Sequence, residues 1–161
     1  MTVRPAAEQD LTGMAVIYDE QVRHGIATFD LEPPPPSYWA RRLASDEPGD
    51  HVLVDAEADE VVGFAYSSAY RPRPGYRLTR ETSVYLAERA RGQGRGRRLY
   101  DALLPRLAAD GMHVALALIA VPNPASVALH EICGFEHLGT MREVGRKFDR
   151  WLDTAWYQRM L

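Results

Sequence analysis

Apolar residues recur at helical spacing over residues 10–23, where Leu11, Met14, Ile17, Tyr18 and Val22 fall on one face. Gly25 ends that run. The segment Pro33-Pro34-Pro35-Pro36 has no backbone N–H groups to build a helix from, so an extended connection is expected there. Ser37 is then placed to cap a second helix through Trp39 and Leu43. Strand patterns occupy residues 2–5, 51–56, 61–70 and 79–86. An acidic turn around Asp59 joins the second pattern to the third, and a Pro- and Arg-rich loop from Arg71 to Tyr76 leads to the fourth. Leu99, Leu103 and Leu107 at four-residue spacing predict a helix reaching about Asp110, with Pro105 expected to bend or break it. Residues 114–121 are almost all apolar, as expected of a strand covered on both faces. Asn123 and Pro124 open a last helix as cap and first helical residue, and Gly134 closes it. From Phe135 to Tyr157 two more strands fold around a turn near Phe148-Asp149-Arg150. The order β-α-α-β-β-β-α-β-α-β-β predicts a mixed α/β sheet with helices packed on it.

Composition narrows the setting more than the chemistry. A chain of 161 residues without an internal repeat or linker favours one domain over 1–161. The net charge of −3 gives no global attraction to nucleic acid or anionic membrane, so neither is expected as a partner. No stretch approaches the roughly 18 apolar residues of a membrane span, and the start lacks an apolar core of signal-peptide length. Cys133 is the only cysteine, which excludes an intrachain disulfide or cysteine-cluster metal site and fits a cytoplasmic setting. Lys147 is the only lysine; the other basic residues are arginines, whose planar fork suits phosphate and carboxylate.

The most informative segment is Arg91-Gly92-Gln93-Gly94-Arg95-Gly96, between a strand and a helix. Glycine lets backbone amides approach a ligand closely and adopt positive φ. The amides at the following helix N-terminus form an anion site, and Arg91, Arg95, Arg97 and Arg98 add charge-assisted donors. A nucleotide P-loop would need Lys-Ser or Lys-Thr where Arg97-Arg98 stands. A dinucleotide fingerprint would open the chain within a βαβ unit, whereas this turn follows strands joined by hairpins. On spacing alone, a phosphate site and a solvated Arg/Gly loop that touches RNA both stay open.

At this turn the chain resembles the GNAT superfamily of N-acetyltransferases, whose Arg/Gln-x-x-Gly-x-Gly/Ala signature is matched by Arg91, Gly94 and Gly96. Residues 81–86 (ETSVYL), Leu99-Tyr100, residues 122–131 (PNPASVALHE) and Gly134-Phe135 are similar to the phosphinothricin and methionine sulfoximine acetyltransferases. So are residues 27–30 (ATFD) and the stretch from Trp151 to Gln158, so the resemblance runs through almost the whole chain in one order. It implies a GNAT-type fold: a mixed, mostly antiparallel sheet splayed between its fourth and fifth strands and flanked by about four helices. It also implies acetyl-CoA as co-substrate, held in that splay. The backbone of Val84, Tyr85 and Leu86 would pair with the pantetheine arm, and amides of Gly92, Gln93, Gly94, Arg95, Gly96 and Arg97 would hold the pyrophosphate beside Arg91. Asn123 would add a hydrogen bond to the pantetheine region while capping its helix. A homodimer is implied as well, with Trp151, Trp156 and Tyr157 offering the large side chains enriched at interfaces.

Acetyl transfer to an amine needs a neutral amine, a polarised thioester carbonyl and a proton for the departing thiolate. The resemblance places a catalytic glutamate at Glu81, which sits among apolar strand positions that would raise its pKa; the bland alternative is a salt bridge to a nearby arginine. It places His130 where many superfamily members carry a proton-donating tyrosine, on the flank of a helix face made by Ala125, Leu129 and Ile132. Cys133 reads as a small core residue rather than a nucleophile. His24, His51, His113 and His137 have no ligand-like spacing, so no metal is expected. The acceptor, a small amine of amino-acid type, would meet Arg71, Arg73, Tyr76, Glu81, Thr82 and Ser83, with arginine taking its carboxylate and Phe29 covering its side chain. Arg80 departs from the small or apolar residue expected beside that glutamate. A GNAT acting on a peptide N-terminus and a non-catalytic acyl-CoA-binding module are the competing readings.

Overall fold

A computed structural model describes residues 2–161. Seven strands form one sheet in the order β1-β2-β3-β4-β5-β7-β6. They are β1 (Thr2–Pro5), β2 (Val52–Glu57), β3 (Glu60–Ala69), β4 (Thr79–Leu86), β5 (Val114–Val121), β6 (Glu136–Lys147) and β7 (Arg150–Met160). All neighbours are antiparallel except β4 and β5. Helices α1 (Leu11–His24), α2 (Pro36–Leu43), α3 (Arg95–Ala109) and α4 (Pro124–Ile132) complete the predicted order.

Alternation along the strands sends apolar side chains to both faces of the sheet. On one face Met14, Ile17, Tyr18 and Val22 of α1 and Trp39 of α2 pack on Val54, Phe64, Tyr66 and Tyr85. On the other, Leu99, Leu103 and Leu107 of α3 pack on Leu53, Ala65, Ala115, Ala117 and Ile119. Each of those leucines is fully buried, which contributes roughly 1.5–3 kcal/mol apiece.

Three local expectations need correction. Helix α2 begins at Pro36 with Pro35 as its cap, one residue before Ser37, because proline suits the first helical position. Helix α3 runs unbroken through Pro105, whose ring faces solvent, so only one backbone bond is lost. In α4 the inward residue is His130, while Ile132 is 65% exposed, so the buried face is rotated from the one the apolar residues suggested. The two tight hairpins fall where expected, with positive φ at Ala58, Asp59, Phe148 and Asp149. Among the described residues no helix is long and apolar enough to cross a membrane.

The feature that positions the site is a failure of pairing. Strands β4 and β5 are bonded only at Thr79↔Val114, Arg80↔Ala115 and Glu81↔Leu116. Beyond Glu81, β4 stays paired to β3 and β5 to β7, so the two central strands diverge. A V-shaped cleft opens in the middle of the sheet, with unpaired backbone along its walls.

Candidate active site

Two adjoining hollows occupy the splay. A narrow cleft is lined by Thr82 to Tyr85, Leu118 to Ala120, Asn123, Ser126 and His130. A cavity of about 500 Å³ lies beside it and shares Ala27, Ser83, Tyr85, Leu118 and Ala120 with the cleft. That volume is in the range of small-molecule sites.

At the mouth of the cleft lies the glycine turn. Gly92 and Gly94 have φ of 72° and 71°, a conformation that side chains rarely adopt, and Gly94 is the cap residue of α3. A Cβ at either would meet no atom within 4 Å, so the backbone faces open space at the N-terminus of a long helix. The arginines divide. Arg91 and Arg97 are exposed, Arg97 lying 3.7 Å from Asp101. Arg95, 2% exposed, instead points inward to Asp55 at 3.4 Å and Glu57 at 2.9 Å, and Arg98 reaches Asp55 at 2.8 Å. The expectation that the Arg95 and Arg98 side chains face a phosphate is therefore corrected, because buried Asp55 and its neighbour Glu57 engage them and pin the turn to β2. Gln93 is held as well, donating to the Arg89 carbonyl at 2.7 Å and accepting from Arg95 Nε at 3.1 Å. The backbone amides of the turn are the groups left to meet an anion.

Glu81 lines the larger cavity and makes no ion pair among the described residues, so the salt-bridge alternative does not hold. Burial pushes its carboxyl above the usual carboxylate range, against the opposing fields of Arg42 and Arg71. Phe29 and Ser83 line the same cavity. The Phe29 ring lies over Gly145 of β6, where a Cβ would come within 2.5 Å of it. Thr82 is buried and faces the narrow cleft instead. Arg71, Arg73 and Tyr76 are exposed in the loop before β4 and do not line the cavity; Arg71 rests 5.1 Å over the Tyr70 ring. Arg80 projects away from it, with Asp50 at 3.4 Å and the Pro48 carbonyl as partners.

His130 is 5% exposed and lines the cleft. Its Nδ1 lies 2.7 Å from the Ser126 carbonyl oxygen, which can only accept, so Nδ1 carries the hydrogen. Nε2 then accepts from the Tyr100 hydroxyl at 2.7 Å. Desolvation lowers the histidine pKa more than the Ser126 bond raises it, which keeps the imidazole neutral. Asn123 caps α4, its Oδ1 accepting from Ser126 N at 3.2 Å, and its side chain also borders the cleft. Cys133 is a buried core residue.

Three participants escaped the sequence reading. Tyr100 is fully buried behind His130, with Thr82 Oγ1 3.1 Å from its hydroxyl. Its position one residue after Leu99 looks like ordinary core. Lys147, 3% exposed, donates to the carbonyls of Gln21 at 2.8 Å and Thr28 at 2.9 Å, fastening the loop that carries Phe29. Arg42 of α2 lines the large cavity. Being the sole lysine was the one available hint for Lys147; Arg42 had none.

A family model for the acetyltransferase (GNAT) domain matches residues 3–156. The chain is similar to a phosphinothricin N-acetyltransferase of Streptomyces coelicolor, 47% identical over 99% of this chain and 95% of the relative. It is also similar to an L-methionine sulfoximine/L-methionine sulfone acetyltransferase of Pseudomonas paraeruginosa, at 39% identity over 98% and 92%. Among solved structures, a phosphinothricin acetyltransferase of Sinorhizobium meliloti in complex with acetyl-CoA superposes with a TM-score of 0.94. It shares 40% identity and covers 99% of this chain and 88% of that one.

Proposed function

This chain belongs to the GNAT acetyltransferase family and is an acetyl-CoA-dependent N-acetyltransferase, and from that premise we propose that its acceptor is the amino group of a small amino acid of the phosphinothricin or methionine sulfoximine type. The observation that carries the reading is the junction of the two hollows: Glu81 stands in one, His130 in the other, and they share the wall from Ser83 to Leu118. The residues present fit the co-substrate. Open backbone at the glycine turn and the unpaired edges of β4 and β5 offer amides to an elongated, phosphate-bearing molecule. Val84, Tyr85 and Leu86 would hold its arm, residues 91–97 its pyrophosphate, and Asn123 the arm's amide. When bound, acetyl-CoA supplies an acetyl group already activated as a thioester.

Transfer to an ammonium releases two protons from nitrogen, one to the medium and one to the leaving sulfur. Glu81, with its raised pKa, is matched to take the first and still return it to water near neutrality. His130, neutral and held by Tyr100 and Ser126, is placed on the thioester side to pass the second. Thr82 and Ser83 border the junction, and Phe29 covers the acceptor side chain. Arg71, Arg73 and Tyr76 remain at the rim, where they would meet the acceptor on entry.

The protein would act as a homodimer. Strand β6 is a sheet edge bearing exposed Leu138, Met141 and Val144, and Trp151 beside it is 61% exposed. Light scattering should give twice the chain mass, and a monomer mass independent of concentration would refute it. The reaction itself is tested by thiol release from acetyl-CoA with a panel of amino acids, their analogues and a short peptide with a free N-terminus. Turnover of methionine sulfone or phosphinothricin at least about 100-fold above the peptide in kcat/KM is expected. Preference for the peptide would overturn the acceptor assignment.

A further inference from the structure

The acceptor cavity contains a second charge that the chemistry above leaves unused. Arg42, near the end of α2, donates from Nη2 to the Tyr38 hydroxyl at 2.7 Å. Its guanidinium carbon lies 4.3 Å from the Tyr66 ring centroid and 4.7 Å from that of Tyr38. Nε is buried without a hydrogen-bond partner. Arg4, Arg80, Arg95 and Arg98 each have a carboxylate within ion-pair reach; Arg42, among the described residues, has none. A buried cation normally has its counter-charge, and stacking on two rings replaces only part of it. Glu81 lines the same cavity and is not paired with Arg42 either. Thr154, 5% exposed and on the opposite wall, has a hydroxyl that also lacks a partner. One cavity thus holds an unpaired cation, an unpaired carboxylate and an orphan hydroxyl, held apart on separate elements.

We propose that Arg42 receives the carboxylate of the acceptor, so that the cavity reads a zwitterion, with ammonium at Glu81 and carboxylate at Arg42. This rests on the acetyl-transfer reading above and deepens it. An α-amino acid carries its two charges on one carbon, and a guanidinium holds a carboxylate through two parallel bonds. The same pairing excludes simple amines and peptide N-termini, whose first residue has no free carboxylate: they would leave Arg42 desolvated and uncompensated. The exposed arginines of the 71–76 loop, the obvious candidates by sequence, are screened by water and stand outside the cavity.

The test compares two acceptors differing only in the carboxylate: methionine sulfone and 3-(methylsulfonyl)propylamine. Thiol release is followed at saturating acetyl-CoA for wild type, Arg42→Gln, Arg42→Lys and Arg71→Gln. Arg42→Gln should lower kcat/KM for the amino acid by roughly 30-fold or more, mostly through KM, and for the amine by less than about threefold. Arg42→Lys should lose less on the amino acid and nothing on the amine. An unchanged rise in melting temperature with acetyl-CoA certifies that each variant is folded, and Arg42→Lys alone decides if Arg42→Gln is not. Equal losses on both acceptors would overturn the proposal. So would a loss of amino-acid preference in Arg71→Gln but not in Arg42→Gln, or a loss seen only with phosphinothricin, whose side chain carries a second anion. A wild type that acetylates neither compound would instead defeat the acceptor reading beneath it, which is a different result from one that acetylates both equally well.

Discussion

The glycine turn and the acceptor cavity use arginine in opposite ways. At the turn the sequence crowds arginines around glycines, yet two of them are spent on Asp55 and Glu57, and bare backbone faces the cleft. In the cavity a single arginine, unremarkable in sequence, stays without a carboxylate beside an equally unpaired glutamate. A cation paired inside the protein builds the scaffold, whereas one left unpaired in a cavity is available to a ligand. The difference separates a co-substrate side that recognises phosphates by backbone geometry from an acceptor side that recognises charge.

The sharpest break between the two sides should come from Gly94→Val. A β-branched residue at φ 71° strains the turn by about 1–3 kcal/mol and blocks the open approach to the amides. The rise in melting temperature with acetyl-CoA should disappear while the fold persists. An acetyl-CoA shift equal to wild type would separate the turn from co-substrate binding. Next in size, His130→Ala should lower kcat by on the order of 10²-fold with acetyl-CoA affinity nearly unchanged. Tyr100→Phe, which removes only the donor to Nε2, should cost nearer tenfold. A His130→Ala enzyme with normal turnover and a lowered melting temperature would make the histidine a structural residue. The smallest effect belongs to Lys147→Met. Freeing the Gln21 and Thr28 carbonyls loosens the loop under Phe29, so acceptor KM should rise roughly 3–10-fold while acetyl-CoA affinity holds. A change in acetyl-CoA affinity without one in acceptor KM would put Lys147 on the wrong side of the comparison.

Legibility in the sequence follows the same division. Element order, the Asn123 cap and the hairpin turns were readable because each is fixed by local chemistry: periodicity, a side-chain oxygen or positive φ. The glycine turn was readable for the same reason. Arg42 and Glu81 share a cavity only because α2 packs across β3 and β4, and no local pattern announces that. Tyr100 was hidden for the opposite reason, since a buried aromatic beside Leu99 is indistinguishable in sequence from core. Ile132 misled because α4 turns a polar residue inward toward the cleft and leaves an apolar one exposed. His130 and Glu81 themselves were found through resemblance, while the structure supplies their burial and partners.

The account stands or falls on Glu81 as the proton acceptor of the cavity side. Its raised pKa has a stability consequence of definite sign. The folded state binds the proton more tightly than the unfolded chain, so this group costs stability as pH rises through the two pKa values. Glu81→Gln should therefore melt slightly higher than wild type at pH 7, with the gain vanishing below the ordinary carboxylate pKa. The decisive measurement is kcat/KM for the acceptor against pH, with acetyl-CoA binding determined on the same preparations. Wild-type activity should fall on the acid side along a limb lying above the usual carboxylate range. Glu81→Gln should lose on the order of 10²-fold or more at pH 7, bind acetyl-CoA normally, and recover steadily as rising pH deprotonates the acceptor amine. A Glu81→Gln enzyme with near wild-type kcat/KM and an unaltered acid limb would contradict it.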